Sequence, residues 1–269
     1  MLDSYDYGVL GVGEIAGAIV TGLCEGVDSP PRILLSPRGH DRASALAARY
    51  PSVSVAPDNQ SVADSCPVVV LSIRPQNADA ILATINFHAE QTIVSVIAGI
   101  SIARLASLVA PASDLTRAIP LLSVAKRSGV TPVHPANDAT EALFGRLGGA
   151  GVVKDENAFN AMSVASGTIA AYFHYLAAVS NWLSQHGVGP ELASGYVSQI
   201  FAGAAESLDS GSLDGSLDGS LDLEAIARAH ATPGGINERF AAKLTEAGTF
   251  GLIGQSLETI LEQLRAAGM

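Results

Sequence analysis

Gly11-Val12-Gly13-Glu14-Ile15-Ala16 is the stretch that decides the fold, and it lies between an apolar strand, Tyr7-Gly8-Val9-Leu10, and an apolar run with helical spacing. The first glycine permits a tight turn, and the second lets the backbone approach a pyrophosphate because no Cβ intervenes. A small residue at Ala16 lets the helix pack closely on the sheet, and free N–H groups at the helix start suit phosphates. The pattern predicts a dinucleotide-binding turn with contacts from Gly11, Gly13, Glu14, Ile15 and Ala16, and a purely structural turn is the alternative.

The residues after the second strand bear on which dinucleotide is bound. An acidic residue about twenty positions after the glycines would bind the ribose 2′-hydroxyl of NAD. The strand Arg32-Ile33-Leu34-Leu35 instead runs into Ser36-Pro37-Arg38-Gly39-His40-Asp41-Arg42. A guanidinium suits a phosphate, which a carboxylate would repel. Ser36 and Arg38 therefore favour NADP(H), and the alternative is a solvated basic loop in which Asp41 pairs with Arg38 or Arg42.

Composition limits the class of protein. A chain of 269 residues with 48% hydrophobic content can bury a large core and has room for two domains. Its formal net charge of −11 argues against nucleic acid or an anionic membrane as the main partner. Cys24 and Cys66 lack metal-ligand or disulfide spacing and are predicted to be buried thiols, so no metal site is expected. The N-terminus lacks a basic region followed by an apolar stretch, which predicts a cytoplasmic protein.

Strand-like runs alternate with helical segments over about the first 150 residues, as in sheets built from βαβ units. The runs at 67–73 and 92–97 are apolar without alternation, which is typical of parallel strands covered on both faces. A further strand at 114–119 ends at Pro120. We expect residues 1–154 to form an α/β Rossmann-type, doubly wound parallel sheet that binds its ligand at the carboxyl ends of the strands.

Helical periodicity replaces strand runs from Asp155 onward, so residues 155–269 are predicted to form an all-α domain. The segment from Met162 to Leu183 is apolar on more than one face and should be buried all round, which suggests a subunit interface. Residues 207–222 contain tandem Ser-Leu-Asp-Gly units and are predicted to form a low-complexity surface loop. The alternative for this loop is calcium binding by Asp209, Asp214, Asp218 and Asp222.

The order of several motifs resembles the pyrroline-5-carboxylate reductase family over nearly the full chain. Ser36-Pro37-Arg38 resembles the family's Ser-Asn-Arg, and Ser72-Ile73-Arg74-Pro75-Gln76 resembles its Ala-Val-Lys-Pro-Gln. In the helical half, Ser166-Gly167 and then Ala171-Tyr172 fall on Ser-Gly-Ser-Gly-Pro-Ala-Tyr, and Thr232-Pro233-Gly234-Gly235 falls on Ser-Pro-Gly-Gly-Thr-Thr. Further matches are the glycine turn with Ala18-Ile19, then Asp58-Asn59, and Ala98-Gly99-Ile100-Ser101-Ile102.

The resemblance implies a Rossmann domain, a helical domain that dimerises by intertwining with its twin, and NAD(P)H-dependent reduction of a cyclic imine. We therefore expect a homodimer or a higher homo-oligomer that acts on a small cyclic imine. The further cofactor residues that it implies are Asn59, Ser72, Ile73, Arg74, Pro75, Ala98 and Gly99. The substrate residues that it implies are Ser166, Gly167, Gly234, Gly235 and Ile236.

The departures from the family pattern fall at the substrate end. Leu121-Leu122 stands where the family has Asn-Thr, Thr168-Ile169-Ala170 replaces Ser-Gly-Pro, and Ile236-Asn237 replaces paired threonines that hold the substrate. Losing hydrogen-bonding groups that grip a carboxylate is costly, on the order of 10⁴-fold in discrimination. The substrate is therefore expected to differ from pyrroline-5-carboxylate.

Two polar side chains are the candidates for the chemistry. An imine reductase must orient the nicotinamide against the electrophilic carbon and polarise the nitrogen, and a protonated imine needs no strong general acid. Asn237 follows a glycine turn whose N–H groups could receive a carboxylate, with a helix N-cap as its alternative role. Thr168 is the second candidate, and a hydrogen bond to its own helix backbone is its alternative.

Two other functions remain open at this point. The β-hydroxyacid dehydrogenases share the two-domain plan but require a lysine on the long interdomain helix, and residues 157–199 contain no lysine. That difference argues against alcohol oxidation. A non-catalytic NADP-binding sensor or scaffold that has lost its substrate groups is the second alternative.

Overall fold

The computed structural model describes residues 5–208 and 221–268, and its first half is built on one sheet. The described residues form eight strands in the order β3-β2-β1-β4-β5-β6-β7-β8. The neighbours from β3 to β6 are all parallel, as predicted for a Rossmann-type sheet. The strands are β1 Tyr7–Leu10, β2 Ile33–Leu35, β3 Val53–Val55, β4 Val68–Leu71, β5 Thr92–Ser95, β6 Asp114–Ala118, β7 Thr131–His134 and β8 Ala150–Val152.

Helices cover both faces of this sheet. Neighbouring residues of one strand enter opposite cores: Val9 packs with the first apolar cluster, and Leu10 packs with the second. This double burial explains why the strands lack an alternating pattern. The helices of this part are α1 Glu14–Cys24, α2 His40–Arg49, α3 Asn59–Ser65, α4 Pro75–Leu82, α5 Ile102–Val109, α6 Asp138–Gly145 and α7 Glu156–Ser166.

The sheet departs from parallel pairing at β7, which pairs antiparallel with β6. The connection between them contains a short 3-10 helix, Leu122–Lys126, in place of a full crossover helix. Arg127 (φ 54°) and Gly129 (φ 86°) then turn the chain in left-handed conformations. A strand that returns without a helical crossover pairs antiparallel. The strands β7 and β8 were not predicted from the sequence, because both are short and β7 contains Pro132.

The cysteine prediction is confirmed. Cys24 and Cys66 are buried free thiols, and burial raises the pKa of the Cys66 thiol to about 12. Neither side chain is placed to react as a thiolate at neutral pH.

The chain divides into two compact units, of which the first contains the sheet, ends at Ser163 and includes the chain end from Leu264. The second unit is Val164–Gln263. The boundary predicted between residues 154 and 155 stays a prediction. The all-α class predicted for the second half is confirmed for the residues described, whose helices are α8 Thr168–Gln185, α9 Pro190–Glu206, α10 Leu223–Ala229, α11 Ile236–Glu246 and α12 Thr249–Ala266.

The prediction that α8 is buried all round is wrong within one chain. None of its residues is buried, and Phe173 and Trp182 are 61% and 56% exposed. Its contacts to α9 include edge-on ring pairs of Tyr172 and Tyr175 with Phe201. Most of its apolar surface has no cover from the described part of its own chain.

One helical run among the described residues, Glu156–Gln185, has the length and composition that a membrane span would need. It consists of α7 and α8, and Gly167 lies between them. The Ser-Leu-Asp-Gly prediction falls largely on residues 209–220, outside the described residues, so both the loop and the calcium alternative stay predictions. Asp222 is the N-cap of α10, where its carboxylate accepts from Ala225 N at 2.9 Å.

Candidate functional site

The predicted cofactor segments of the sheet lie along one edge. Parallel pairing aligns the ends of β2, β1, β4 and β5, and hydrogen bonds continue into the loops after them. Ser36 N donates to Val9 O (2.9 Å), Ser72 N donates to Leu10 O (2.8 Å), and Val96 N donates to Leu71 O (3.0 Å). The structure thus brings the loops at residues 11–16, 36–38, 72–75 and 98–99 to the carboxyl edge of the sheet, where such folds bind ligands.

Gly11 is required by the fold itself. Its φ of +91° is a left-handed conformation, and a Cβ there would lie 2.4 Å from Ser72 O. Its N–H donates to Ser36 Oγ at 2.9 Å, and Ser36 is fully buried. We therefore assign the Ser36 side chain a positioning role in the turn, and its predicted contact with the cofactor stays a prediction.

Gly13 has a different environment. Its backbone is extended (φ −87°, ψ −165°), and a Cβ added to it would meet no atom within 4 Å. It is the N-cap of α1, and no side chain caps this helix. Neither backbone strain nor packing within the chain demands glycine here, so the open space and uncapped N–H groups fit a bound pyrophosphate.

The two arginines after β2 differ in their partners. Arg42 forms an ion pair with Glu14 and lies over Gly17, where a Cβ would be 3.2 Å from Arg42 Cδ. Asp41 lies 3.8 Å from His40 Nδ1 rather than beside either arginine. Arg38 is exposed and has no ion pair or hydrogen bond among the described residues. Among the described residues Asp41 therefore pairs with neither arginine, and the Arg38 guanidinium can receive a phosphate. An exposed arginine also fits the alternative of a solvated basic loop, so the cofactor contact of Arg38 stays a prediction.

Glu14, Ile15 and Ala16 form the first turn of α1. Because the carboxylate of Glu14 pairs with Arg42, the backbone N–H of Glu14 is the group left to meet a phosphate. Ile15 and Ala16 follow it in the first turn of α1, and Ala16 is fully buried, which permits the close helix packing expected of a small residue. Their direct cofactor contacts stay predictions.

The remaining cofactor candidates flank helix starts. Asp58 caps α3, and hydrogen bonds from Ser61 hold the pKa of its carboxyl below the ordinary value. Asn59 is the first residue of α3 and is partly exposed. The others are Arg74, exposed and the N-cap of α4; Pro75, the first residue of α4; Ile73, buried; Ser72, half-buried; Ala98, exposed; and Gly99, with φ +68°.

A buried charged group lies close to the same edge and was missed by the sequence analysis. Arg117, 2% exposed on β6, donates from Nη1 to Glu156 Oε1 (2.8 Å) and to Asn160 Oδ1 (2.9 Å). Burial lowers the pKa of its guanidinium, and Glu156 opposes that shift. The available signal was an arginine within a predicted strand, since a charged residue must find a partner when the strand is buried.

The predicted substrate residues lie in the helical unit, and the two catalytic candidates bond to their own backbone. Thr168 Oγ1 donates to Ala165 O (2.8 Å), the alternative expected for a helical hydroxyl. Asn237 Nδ2 donates to His230 O (2.8 Å), and Gly235, not Asn237, is the N-cap of α11. No hydrogen bond among the described residues joins Thr168 to Asn237.

The glycine turn before α11 is accessible. Gly234 has φ +73°, and its N–H donates to Glu238 Oε2 at 2.6 Å. Ile236 is 84% exposed. Ser166 and Gly167 lie where α7 gives way to α8. The substrate roles of these residues and the catalytic roles of Thr168 and Asn237 stay predictions.

Two protein families match separate parts of the chain. Residues 6–99 match the family described as NADP oxidoreductase coenzyme F420-dependent, and residues 156–266 match the pyrroline-5-carboxylate reductase dimerisation family. The pyrroline-5-carboxylate reductase of Mycobacterium tuberculosis is 29% identical over 219 residues, which cover 74% of this chain and 72% of that protein.

Solved structures share the fold along the full chain. The 1-pyrroline-5-carboxylate reductase of Streptococcus pyogenes superposes with a TM-score of 0.79 at 21% identity, covering 97% of this chain and 98% of the other. The NADP-bound pyrroline carboxylate reductase of Plasmodium falciparum gives 0.78 at 16% identity, covering 99% of each chain. Residues 156–266 thus match the dimerisation domain of pyrroline-5-carboxylate reductases, and the chain is similar along most of its length to proteins of that name.

Proposed function

We propose that this chain is an NADPH-dependent reductase of a small cyclic imine, and that its best substrate is not pyrroline-5-carboxylate. The choice of NADPH as the cofactor rests on one observation. The open turn at Gly13 lies at the same edge of the sheet as Arg38, which has no partner among the described residues. The similarity to pyrroline-5-carboxylate reductases supports the reaction class, an oxidoreductase acting on a C=N bond.

Different residues at this edge of the sheet bind different parts of the cofactor. The uncapped N–H groups at the start of α1 hold the pyrophosphate, and Arg38 pairs with the 2′-phosphate that distinguishes NADPH from NADH. Arg42 is held by Glu14 and so shapes this surface rather than competing for the phosphate. NADPH supplies a hydride when bound, and the chain supplies orientation and electrostatics.

The groups available to bind a substrate carboxylate support a substrate other than pyrroline-5-carboxylate. Leu121 and Leu122 follow β6 and are 41% and 56% exposed where the family pattern has polar residues. Thr168 donates its hydroxyl hydrogen to its own helix, and Asn237 uses an amide hydrogen to brace its own turn. A substrate with no carboxylate and more apolar surface suits these groups better.

The match to a dimerisation family supports a proposal for the assembly. The dimerisation family covers 156–266 and therefore the whole apolar run that could by composition enter a membrane. We propose that a second copy, not lipid, covers this surface in a homodimer or a higher homo-oligomer. A cytoplasmic location and the lack of a nucleic-acid partner, which the net charge of −11 favours, belong to the same proposal.

The test is NADPH oxidation with a panel of five- and six-membered cyclic imines, with and without a carboxylate, run in parallel with NADH. We expect turnover of at least one imine with NADPH and weaker turnover with NADH. NADPH binding without turnover of any imine would favour a non-catalytic sensor or scaffold, and no NADPH binding would reject the proposal.

A further inference from the structure

The loop Ala98–Ser101 at the cofactor edge is held by a residue far along the chain. Glu156, the first residue of α7, accepts on its Oε1 from Ile102 N at 3.0 Å. Ile102 is the first residue of α5, so this N–H is one of those that the helix cannot satisfy itself. The N-cap Ser101 accepts from Arg104 N at 3.3 Å and leaves the Ile102 N–H to Glu156.

The same carboxylate oxygen is fixed from the sheet side. Arg117 Nη1 donates to Glu156 Oε1 at 2.8 Å, and the Arg117 side chain is 3% exposed while that of Glu156 is 37% exposed. The guanidinium also donates to Asn160 and lies 4.6 Å above the ring of Phe159. One oxygen atom therefore joins β6, the start of α5 and the start of α7.

If the only role of Glu156 were to attach α7 to the sheet, a buried ion pair with Arg117 would not be required. Removing a guanidinium from water is costly, and apolar residues of similar volume often stabilise a fold as well or better. Arg117 Nε has no hydrogen-bond partner within the described chain, so the full cost of burial is not recovered. A directional pair has an advantage where one atom must be held in place, and here that atom is the amide that starts α5.

We propose that Glu156, held by Arg117, is a positioning residue that fixes the Ala98–Ser101 loop for cofactor binding. This inference rests on the proposed function, because it takes Ala98 and Gly99 as cofactor contacts. Ala98 is exposed, Gly99 has φ +68°, and Ile100 is buried, so the loop is attached to the core on one side of its exposed tip. Ile97 is buried on the other side, and the Glu156 hydrogen bond to Ile102 N fixes the point where the loop enters α5.

The test compares Glu156→Ala with Glu156→Gln and a matched control. Glu156→Ala removes the acceptor, and Glu156→Gln keeps an acceptor oxygen but loses the charge. Asp79→Asn is the control because it breaks the ion pair of Arg104 on α5 with Asp79 on α4, away from the Ile102 amide. The first measurement is amide hydrogen exchange over residues 98–104 without cofactor, and the second is the Kd of NADPH.

We expect Glu156→Ala to speed exchange at residues 98–104 and to weaken NADPH binding, each by about tenfold or more, as for the loss of a hydrogen bond to a charged group. Glu156→Gln should lie between Glu156→Ala and the wild type, and Asp79→Asn should stay within about twofold of the wild type. If Glu156→Ala does not fold, Glu156→Asp replaces it, since the shorter side chain keeps the charge and loses the reach.

The outcomes separate this inference from the proposed function. A lower Tm with unchanged exchange at residues 98–104 and unchanged Kd would make Glu156 an anchor of α7 only, and the inference would be wrong. A wild-type protein that binds no NADPH would reject the proposed function, and the exchange measurement would still decide whether Glu156 fixes the loop.

Discussion

Gly11 and Gly13 lie two positions apart in one turn, and glycine is needed at each position for a different reason. Gly11 has a left-handed φ and lies against the carbonyl oxygen of Ser72, so the fold itself requires glycine. Gly13 has an ordinary extended backbone and empty space where a side chain would be. A residue that neither strain nor packing explains points to something outside the chain, which here is the cofactor.

The two glycines therefore give opposite results when changed to alanine. Gly11→Ala should lower the free energy of unfolding by about 2 kcal/mol or more, because it adds strain and a clash. Gly13→Ala should change it by less than about 1 kcal/mol while weakening NADPH binding at least about tenfold. Urea unfolding and NADPH titration measure the two effects. Full NADPH affinity in Gly13→Ala would place the pyrophosphate elsewhere.

Arg38 and Arg42 form a second matched pair. Arg38→Ala should reduce the preference for NADPH over NADH by about tenfold or more, since it removes a charge-assisted contact to phosphate. Arg42→Ala breaks an ion pair with Glu14 and should affect both cofactors alike. The ratio of kcat/KM for NADPH and NADH in each variant tests this assignment. Equal efficiency with both cofactors in the wild type would refute it.

Asn237 tests the substrate end. Asn237→Ala should lower kcat/KM on the best imine by about tenfold or more and leave the Kd of NADPH unchanged. Asn237 also donates to His230 O, so Asn237→Ala removes a hydrogen bond that holds the turn. This structural effect must be distinguished from the loss of a contact with the substrate. Steady-state kinetics well below the Tm of each variant make that distinction, and unchanged kinetics would show that the assigned site is wrong.

At the scale of elements, the buried parallel strands were predictable because their apolar runs have one physical explanation. The strands β7 and β8 were not, since three or four residues beside proline or glycine carry too little pattern. The prediction that α8 is buried within its own chain was wrong for a related reason. An apolar helix indicates that something covers it, but the sequence does not say which chain does so.

The site shows the same division. The glycine turn and Arg38 were predictable because local spacing carries their chemistry. The link between Arg117 and Glu156 joins residues 39 positions apart, and it depends on how β6 and α7 pack. The side-chain partners of Thr168 and Asn237 were also undetermined, because a hydroxyl or amide can bond to its own backbone as readily as to a ligand.

The exposed face of α8 predicts an obligate dimer. Phe173→Glu or Trp182→Glu places a charge on surface that a second copy should bury, so either variant should shift the dimer towards monomers and lower the Tm. Sedimentation at low micromolar concentration measures the state. The matched control is Glu191→Lys on α9, a charged residue at an exposed position. A wild-type protein that is a stable monomer would contradict this prediction.

At the scale of the whole molecule, the segments assigned to the cofactor and those assigned to the substrate depart from the family pattern to different degrees. The sheet unit keeps the cofactor turn, the arginine after β2 and the loops after β4 and β5 on one edge. The substituted segments are those that the resemblance assigns to substrate, including Leu121-Leu122 after β6. A site that keeps its reductant and loses polar groups retains hydride transfer and changes which imine binds best in the transition state.

This division predicts that pyrroline-5-carboxylate is a weak substrate and that a less polar cyclic imine is a better one. Restoring polarity with Leu121→Asn and Leu122→Thr together should raise kcat/KM on pyrroline-5-carboxylate relative to an imine without a carboxylate, by about tenfold, since unpaired polar groups dominate such discrimination. Both leucines are substantially exposed, so the double variant should keep its Tm. The same substitutions should leave the Kd of NADPH unchanged, because neither leucine is among the predicted cofactor residues. If wild-type protein prefers pyrroline-5-carboxylate across the panel, the leucines are compatible with a carboxylate substrate and the altered specificity is wrong.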